Sequence, residues 1–319
     1  MSGGGARFQG PRVGEGPAVV AIGVFDGLHL GHRAILERAL ARGSESHARC
    51  VVVSFDPHPE VVLRPGSFRW VAPLTPLQEK RERLLAMGVD ELHVIPFTRE
   101  LAGLEPEQFV REHLLAPFHP VALVVGRDFA LGRGRSGNVQ RLTEICREMG
   151  FEVDPVPLLE LDGGPVSSTR IRELLAAGRV GEASRLLGRR YTLAGTVVTG
   201  HGMGRTLGFP TANLRLHEEK LVPSDGIYAV WARLGDRPER HAAAMSIGAR
   251  PTFGGRERQL EVFVLDWSGD LVGAEIEVEF VEWLRAEKKF ESADDLVEAM
   301  KVDVAETRRR LGEVAGPVS

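Results

Sequence analysis

Two short stretches of this chain combine glycines with polar groups at spacings suited to phosphate chemistry. The first, Gly23-Val24-Phe25-Asp26-Gly27-Leu28-His29-Leu30-Gly31-His32, directly follows the apolar run Val19-Val20-Ala21-Ile22. Its glycines permit tight turns and close backbone approach to a polyphosphate. The histidines stand three apart, so a helix beginning here carries both imidazoles on one face at its positive end. That arrangement suits transfer of a nucleotidyl group to an acceptor that is already an anionic phosphate. Such a reaction needs charge stabilised on the α-phosphate and the departing pyrophosphate, and no protein nucleophile. The second stretch, Arg205-Thr206-Leu207-Gly208-Phe209-Pro210-Thr211-Ala212-Asn213, follows Gly200-His201-Gly202-Met203-Gly204. The glycine loop, with Gly202 and Gly204, suits folding over ATP, and Arg205 is a candidate phosphate contact. The Thr211 hydroxyl suits Mg²⁺, and the Asn213 amide can add an oxygen ligand or orient phosphate. An alcohol acceptor, protonated at neutral pH, makes a general base useful, and Glu261 in Leu260-Glu261-Val262-Phe263 is the best candidate. The alternative for Glu261 is a solvated strand carboxylate.

The elements around these stretches differ between the two halves. Val19–Ile22, Cys50–Val53, Leu92–Ile95 and Val121–Val125 are continuous apolar runs and read as strands. They alternate with helical segments from His32 to Arg42, after Thr75-Pro76, and from Pro106 to Leu115. Buried strands alternating with helices predict a parallel sheet covered on both faces, with ligands at the carboxyl ends of the strands. The stretches Gly23–His32 and Gly126–Asn138 both follow strands and are expected to converge there. Thr75 reads as an N-cap with Pro76 at the first helical position. Ser167-Ser168-Thr169-Arg170-Ile171-Arg172 opens a helix, its hydroxyls suited to capping and its arginines to phosphate. Beyond it the character becomes antiparallel: Tyr191–Thr199, Ile227–Leu234, Leu260–Trp267 and Ala274–Leu284 read as strands, with Ser268-Gly269-Asp270 joining two of them as a hairpin. Ser292-Ala293-Asp294-Asp295 predicts a capped final helix burying Leu296, Met300, Val304 and Leu311. The expectation is an α/β N-terminal domain over 1–187, Rossmann-like with a parallel sheet, and a small antiparallel barrel closed by a helix over 188–319.

Bulk properties exclude several classes. The chain has 319 residues, 43% hydrophobic and 26% charged, which is ordinary for two soluble domains. A net charge of −4 offers no global field for nucleic acid. No apolar run approaches the ~20 residues that cross a bilayer. Met1–Gly16 lacks the apolar core of a signal peptide. The expected setting is cytoplasmic, with small molecules as partners. Cys50 and Cys146 lack metal-ligand spacing and read as buried thiols. Phe25, Phe55 and Phe129 read as core residues beside the expected crevice. His58 carries no assigned chemistry, and His201 and His217 read as surface residues. The run Gly132–Gly137 is suited either to cradling phosphate or to a loop, and the loop is the favoured reading.

Taken in order, the segments Gly23–His32, Ser54–Pro59, Val125–Gly132, Ser167–Arg172, Gly204–Leu214, Gly226–Tyr228, Ile247–Thr252 and Arg285–Phe290 resemble the prokaryotic bifunctional riboflavin kinase/FMN adenylyltransferases (FAD synthetases) over nearly the whole chain. The resemblance implies that the C-terminal domain phosphorylates riboflavin with ATP and that the N-terminal domain transfers AMP from ATP to FMN. It implies Mg²⁺ at both sites, Thr211 and Asn213 near the kinase metal, and Glu261 as base. It puts Gly23, Phe25, Asp26, Gly27, His29, His32, Asp128, Ser168, Thr169 and Arg172 around the transferase nucleotide, and Asp128, Phe129, Arg285 and Phe290 against flavin. Ser246, Met203 and Val272 depart from the commoner family pattern, in which Asn, a basic residue and an aromatic residue stand at those positions.

Overall fold

The computed structural model describes residues 16–65, 72–200, 208–252 and 255–312, apart from the side chains of 249–252 and 255–257. Gly202, Met203, Gly204 and Arg205 lie outside the described residues. The chain divides into two compact units, Met1–Val166 and Ser167–Ser319. The spatial division therefore falls before the boundary read from the sequence. The helices Ser168–Ala176 and Val180–Leu187 group with the barrel, where Ser224 N donates to Leu175 O.

In the first unit, strands β1 (Ala18–Ile22), β2 (Arg49–Asp56), β3 (Glu91–Pro96), β4 (Pro120–Gly126) and β5 (Glu152–Val156) form a parallel sheet in the order β3-β2-β1-β4-β5. Successive strand residues serve opposite faces. Val20, Ile22, Val51, Val53, Leu123 and Val125 pack into one core, and Val19, Ala21, Val52 and Val124 into the other. This two-sided burial is why the strands read as unbroken apolar runs. The strand order reverses direction at β1, between β2 and β4, so the loops after β1 and β4 flank a topological switch point. Helix α1 (Leu30–Ser46) buries Leu36 and Ala39 on the sheet and ends at His47 with left-handed φ of 51°. The helical stretch from Pro106 includes a wider π turn over Arg111–Leu115 and runs on to Phe118.

Helix α2 (Leu77–Ala86) starts differently from the sequence expectation. Pro76, not Thr75, occupies the N-cap, and no side chain caps the helix. The Thr75 hydroxyl is buried without a hydrogen-bond partner, while its amide donates to Asp26 Oδ1 at 3.0 Å. A tertiary bond thus fixes Thr75 where local capping alone was expected.

The second unit begins with α3 (Ser168–Ala176) and α4 (Val180–Leu187). It continues as a closed six-stranded barrel of β6 (Thr192–Val198), β7 (Ala212–Leu216), β8 (Gly226–Leu234), β9 (Arg240–Thr252), β10 (Gly255–Val264) and β11 (Glu275–Arg285), and ends in α5 (Ala293–Leu311). The order around the barrel is β6-β7-β10-β9-β8-β11. This corrects the hairpin expected at Ser268–Asp270. β10 pairs with β7 and β9, and β11 with β8 and β6, so the segment between them is a crossover rather than a hairpin turn. The Asp270 carboxylate accepts from Val272 N at 3.1 Å and shapes that crossover locally.

Helix α5 is capped by Ser292, whose hydroxyl accepts from Asp295 N. Leu296, Met300, Val304 and Leu311 are only partly covered, and the fully buried positions are Asp303, Thr307 and Arg308. Ion pairs as well as apolar packing tie this helix to the barrel. Arg285 donates to both Asp303 oxygens at 2.7 and 2.6 Å, and Arg308 donates to both Asp266 oxygens at 2.7 Å. Asp303→Ala strands a half-buried guanidinium and is expected to cost about 2–3 kcal/mol, below the range for a fully buried pair. A lowered urea midpoint for the barrel transition at unchanged slope checks this; an unshifted midpoint contradicts it.

Candidate active sites

The first site forms where β1 hands over to α1. Phe25 (φ 50°), Gly27 (φ 89°) and Leu28 (φ 42°) all occupy the left-handed region, so the turn holds two non-glycine residues in a costly conformation. It is tied down at two points. Asp26 is buried, and its carboxylate accepts from the amides of Leu74 and Thr75 at 3.0 Å. Val24 O accepts from Lys80 Nζ at 2.8 Å and from Ser54 Oγ at 3.0 Å.

His29 is the N-cap of α1, and its Nδ1 accepts from His32 N at 3.2 Å. That bond commits Nδ1 as an acceptor, so the proton of a neutral ring sits on Nε2 as a donor. The two imidazoles stack at 3.6 Å with 15° between planes, and the Phe25 ring packs edgewise on His32 at 5.3 Å. Burial lowers the His32 pKa well below its usual value, and the His29 and Lys80 charges add to this. His32 is therefore neutral at pH 7, and its Nδ1 is buried without a hydrogen-bond partner. The pair stands at the helix end where backbone amides favour an anion.

Other residues singled out in this unit take quieter positions. Phe25 is buried in the core, with its ring edge against His32. The exposed Asp128 follows β4 and lies close over Gly126, while Phe129 packs partly buried against the core. The run after it forms a small hairpin, Ala130–Leu131 against Gly137–Asn138. His58 caps a short helix by accepting from Glu60 N. Ser54 and Lys80 were not among the residues proposed from sequence. A lysine on a helix otherwise reads as a solvated face, and only its burial marks it out.

The barrel site rests on register. Asn213 on β7 stands opposite Glu261 on β10, Glu261 opposite Ser246 on β9, Ser246 opposite Ile227 on β8, and Ile227 opposite Arg285 on β11. Directly opposed residues project to the same face, so Asn213, Glu261, Ser246 and Arg285 form one lateral row. Their neighbours Ala212, Leu260, Val262, Met245 and Ile247 are buried, which turns the row to the outer face of the barrel wall. Thr211 Oγ1 donates to Glu261 Oε2 at 3.3 Å. Thr211 and Asn213 line a cleft of about 150 Å³ with Thr199, Gly200, Trp267 and Val272. Gly200 packs so closely on the Asn213 amide that a Cβ there would lie 2.0 Å from Nδ2.

Ser246 now has a physical setting. Its hydroxyl faces Glu287 Oε1 at 3.5 Å, beside Glu261 in register. Burial, with the Asp225 and Glu261 charges, raises the Glu287 pKa. Arg285 spends its guanidinium on Asp303 and lies over the Phe290 ring at 5.9 Å; neither residue lines the cleft. His217 pairs with Glu275 on the surface. In α3 the cap is Ser167, accepting from Arg170 N at 3.3 Å, so Ser168 and Thr169 open the helix with their hydroxyls not needed as the cap.

Comparison with known proteins agrees with this two-part layout. The FAD synthetase family model matches residues 13–170, and the riboflavin kinase model matches residues 187–311. The chain thus joins a nucleotidyltransferase part to a kinase part, in that order. It is 37% identical to the bifunctional riboflavin kinase/FMN adenylyltransferase of Listeria monocytogenes, over 91% of each chain. It is 36% identical to that of Escherichia coli K12 over 95% of each. A crystal structure described as a macrolide-efflux protein from Streptococcus pneumoniae superposes with a TM-score of 0.85 at 31% identity, covering 92% of this chain and 95% of the other. Among the described residues no helix is long and apolar enough to cross a membrane. The chain belongs to the bifunctional riboflavin kinase/FMN adenylyltransferase family.

Proposed function

We propose that the barrel, with a functional boundary at 187/188, phosphorylates the terminal hydroxyl of riboflavin from ATP, and that the parallel-sheet domain then transfers AMP from a second ATP to FMN, releasing pyrophosphate. The observation that carries the kinase assignment is the Thr211–Glu261 contact with Asn213 in register beside it. Glu261 takes the proton from the flavin hydroxyl as that oxygen attacks the γ-phosphate. Gly202, Gly204 and Arg205 belong to the loop assigned to ATP, and Arg285 and Phe290 to flavin, by resemblance alone.

The donor set fits Mg²⁺. Thr211, which carries a hydroxyl, and Asn213, which carries an amide oxygen, line one cleft. Mg²⁺ commonly takes few protein oxygens and completes its shell with phosphate and water. Thr211 and Asn213 would hold it, and when bound it would neutralise phosphate charge. In the transferase, the α-phosphate takes no proton chemistry from the protein. The acceptor is the FMN phosphate, and the Nε2–H of His29 is the donor suited to the charge that develops. Gly23, Gly27, Ser168, Thr169 and Arg172 are assigned to the same nucleotide on the motif match, and Asp128 and Phe129 to flavin. We assign its action to the cytoplasm.

Incubation with riboflavin, ATP and Mg²⁺ should yield FMN and then FAD; absence of both at high enzyme concentration sinks the reading. For Glu261→Gln the expected result is a kcat for FMN formation lower by roughly 10²–10⁴-fold with ATP binding retained. Unchanged turnover would remove Glu261 from the mechanism.

A further inference from the structure

Lys80 is a buried cation in the first unit, 5% exposed, and the reaction just described makes no use of it. Its Nζ donates to Val24 O at 2.8 Å and lies 3.3 Å from Ser54 Oγ. Val24 leads into the turn whose Phe25 and Leu28 are held at positive φ. The same segment of chain grips the turn a second time, through the Leu74 and Thr75 amides on Asp26. Residues 74–80 thus hold the turn from beneath at both Val24 and Asp26, immediately before the N-terminus of α1.

Burying an ammonium is unfavourable. Burial lowers the Lys80 pKa, with Asp26 and Asp56 opposing that shift. An apolar side chain of similar length would avoid the desolvation of the ammonium and still fill the space, but would take a nearby cation away from the buried Asp26. Val24 O would keep its bond from Ser54 Oγ. Packing alone gives no reason for a lysine here; its charge faces Asp26 and its Nζ bonds Val24 O, and both residues belong to the strained turn.

We infer that Lys80 is a positioning residue for adenylyl transfer: its ammonium, bonded to Val24 O beneath the Gly23–Leu28 turn, holds the turn in the conformation that presents His29 and the loop amides to a polyphosphate. The inference rests on the assignment of His29 to the transferase. Releasing the turn lets Phe25 and Leu28 relax toward negative φ and costs both nucleotide affinity and alignment.

The test uses the full chain and separate assays of riboflavin phosphorylation and FMN adenylylation. Lys80→Met is expected to raise the KM for ATP in adenylylation and to lower its kcat, each by about tenfold or more. Riboflavin phosphorylation should be unchanged, and the thermal midpoint of the protein should fall, because methionine takes a nearby cation away from the buried Asp26 carboxylate. Ser54→Ala, which removes one of the two donors to Val24 O, should raise the same KM by a smaller factor. A folded Lys80→Met protein with unaltered adenylylation constants overturns the inference. If Lys80→Met does not fold, Ser54→Ala decides, and normal constants there overturn it equally. Adenylylation retained by His29→Ala would instead remove the assignment on which the inference stands, so the two failures are distinguishable.

Discussion

Thr211→Ala is expected to cut riboflavin phosphorylation by about 10²–10³-fold, the scale for loss of one preorganised polar group at a phosphoryl-transfer site. FMN supplied directly should still be converted to FAD at close to the normal rate. The reason is spatial. Thr211 lines the cleft of the barrel unit and is bonded to Glu261, which does not itself line that cleft but belongs to the same unit, while the imidazole pair belongs to the sheet unit. The side chain is small and half-buried, and alanine is readily accommodated just before β7, so stability should change little. Time courses of riboflavin, FMN and FAD with the variant check this. Equal loss of both conversions contradicts two separate sites.

His29→Ala is the mirror experiment and carries two effects that a second variant separates. Alanine removes the Nε2–H donor, expected to lower FMN adenylylation by about 10²–10³-fold with phosphorylation retained. It also deletes the N-cap of α1, a loss of about 1 kcal/mol. Asparagine is a strong capping residue and can replace Nδ1 as acceptor for His32 N. His29→Asn should therefore recover the denaturation midpoint and leave adenylylation as low as in the alanine variant. Recovery of activity by asparagine would show that His29 acts through the cap alone.

The chemistry of this chain was more legible than its barrel. Gly23–His32 and Thr211–Asn213 are contiguous, so an expectation of phosphate chemistry could be read from their residue types without any tertiary knowledge. The parallel strands were visible because burial on both faces leaves unbroken apolar runs. β5, with Glu152 and Asp154 at the sheet edge, has no such run and was missed. β9 was hidden for a different reason: His241-Ala242-Ala243-Ala244 has helical rather than β propensity, and only barrel pairing makes it a strand. No strand was read at Ala212–Leu216, yet Ala212 begins β7, and that is what sets Asn213 against Glu261. The crossover after β10 was taken for a hairpin because Ser-Gly-Asp is good turn chemistry wherever the flanking strands happen to lie. Lys80 and the Arg285–Asp303 pair were invisible because burial of a charge depends on partners distant in sequence.

The lateral row in the barrel has a consequence for how such a chain can change in length. Glu261 is flanked by paired strands on both sides, and closure leaves no free edge along which a strand could slide. Adding or deleting one residue within β7, β9 or β10 would rotate alternate positions from outside to inside, swapping Glu261 or Asn213 for a core residue such as Leu260 or Ala212. A change in length is therefore expected to be tolerated in a connection such as 235–239 after β8, where spacing can drift without disturbing the row, and less so in 265–274 after β10, which carries Trp267 and Val272 of the cleft.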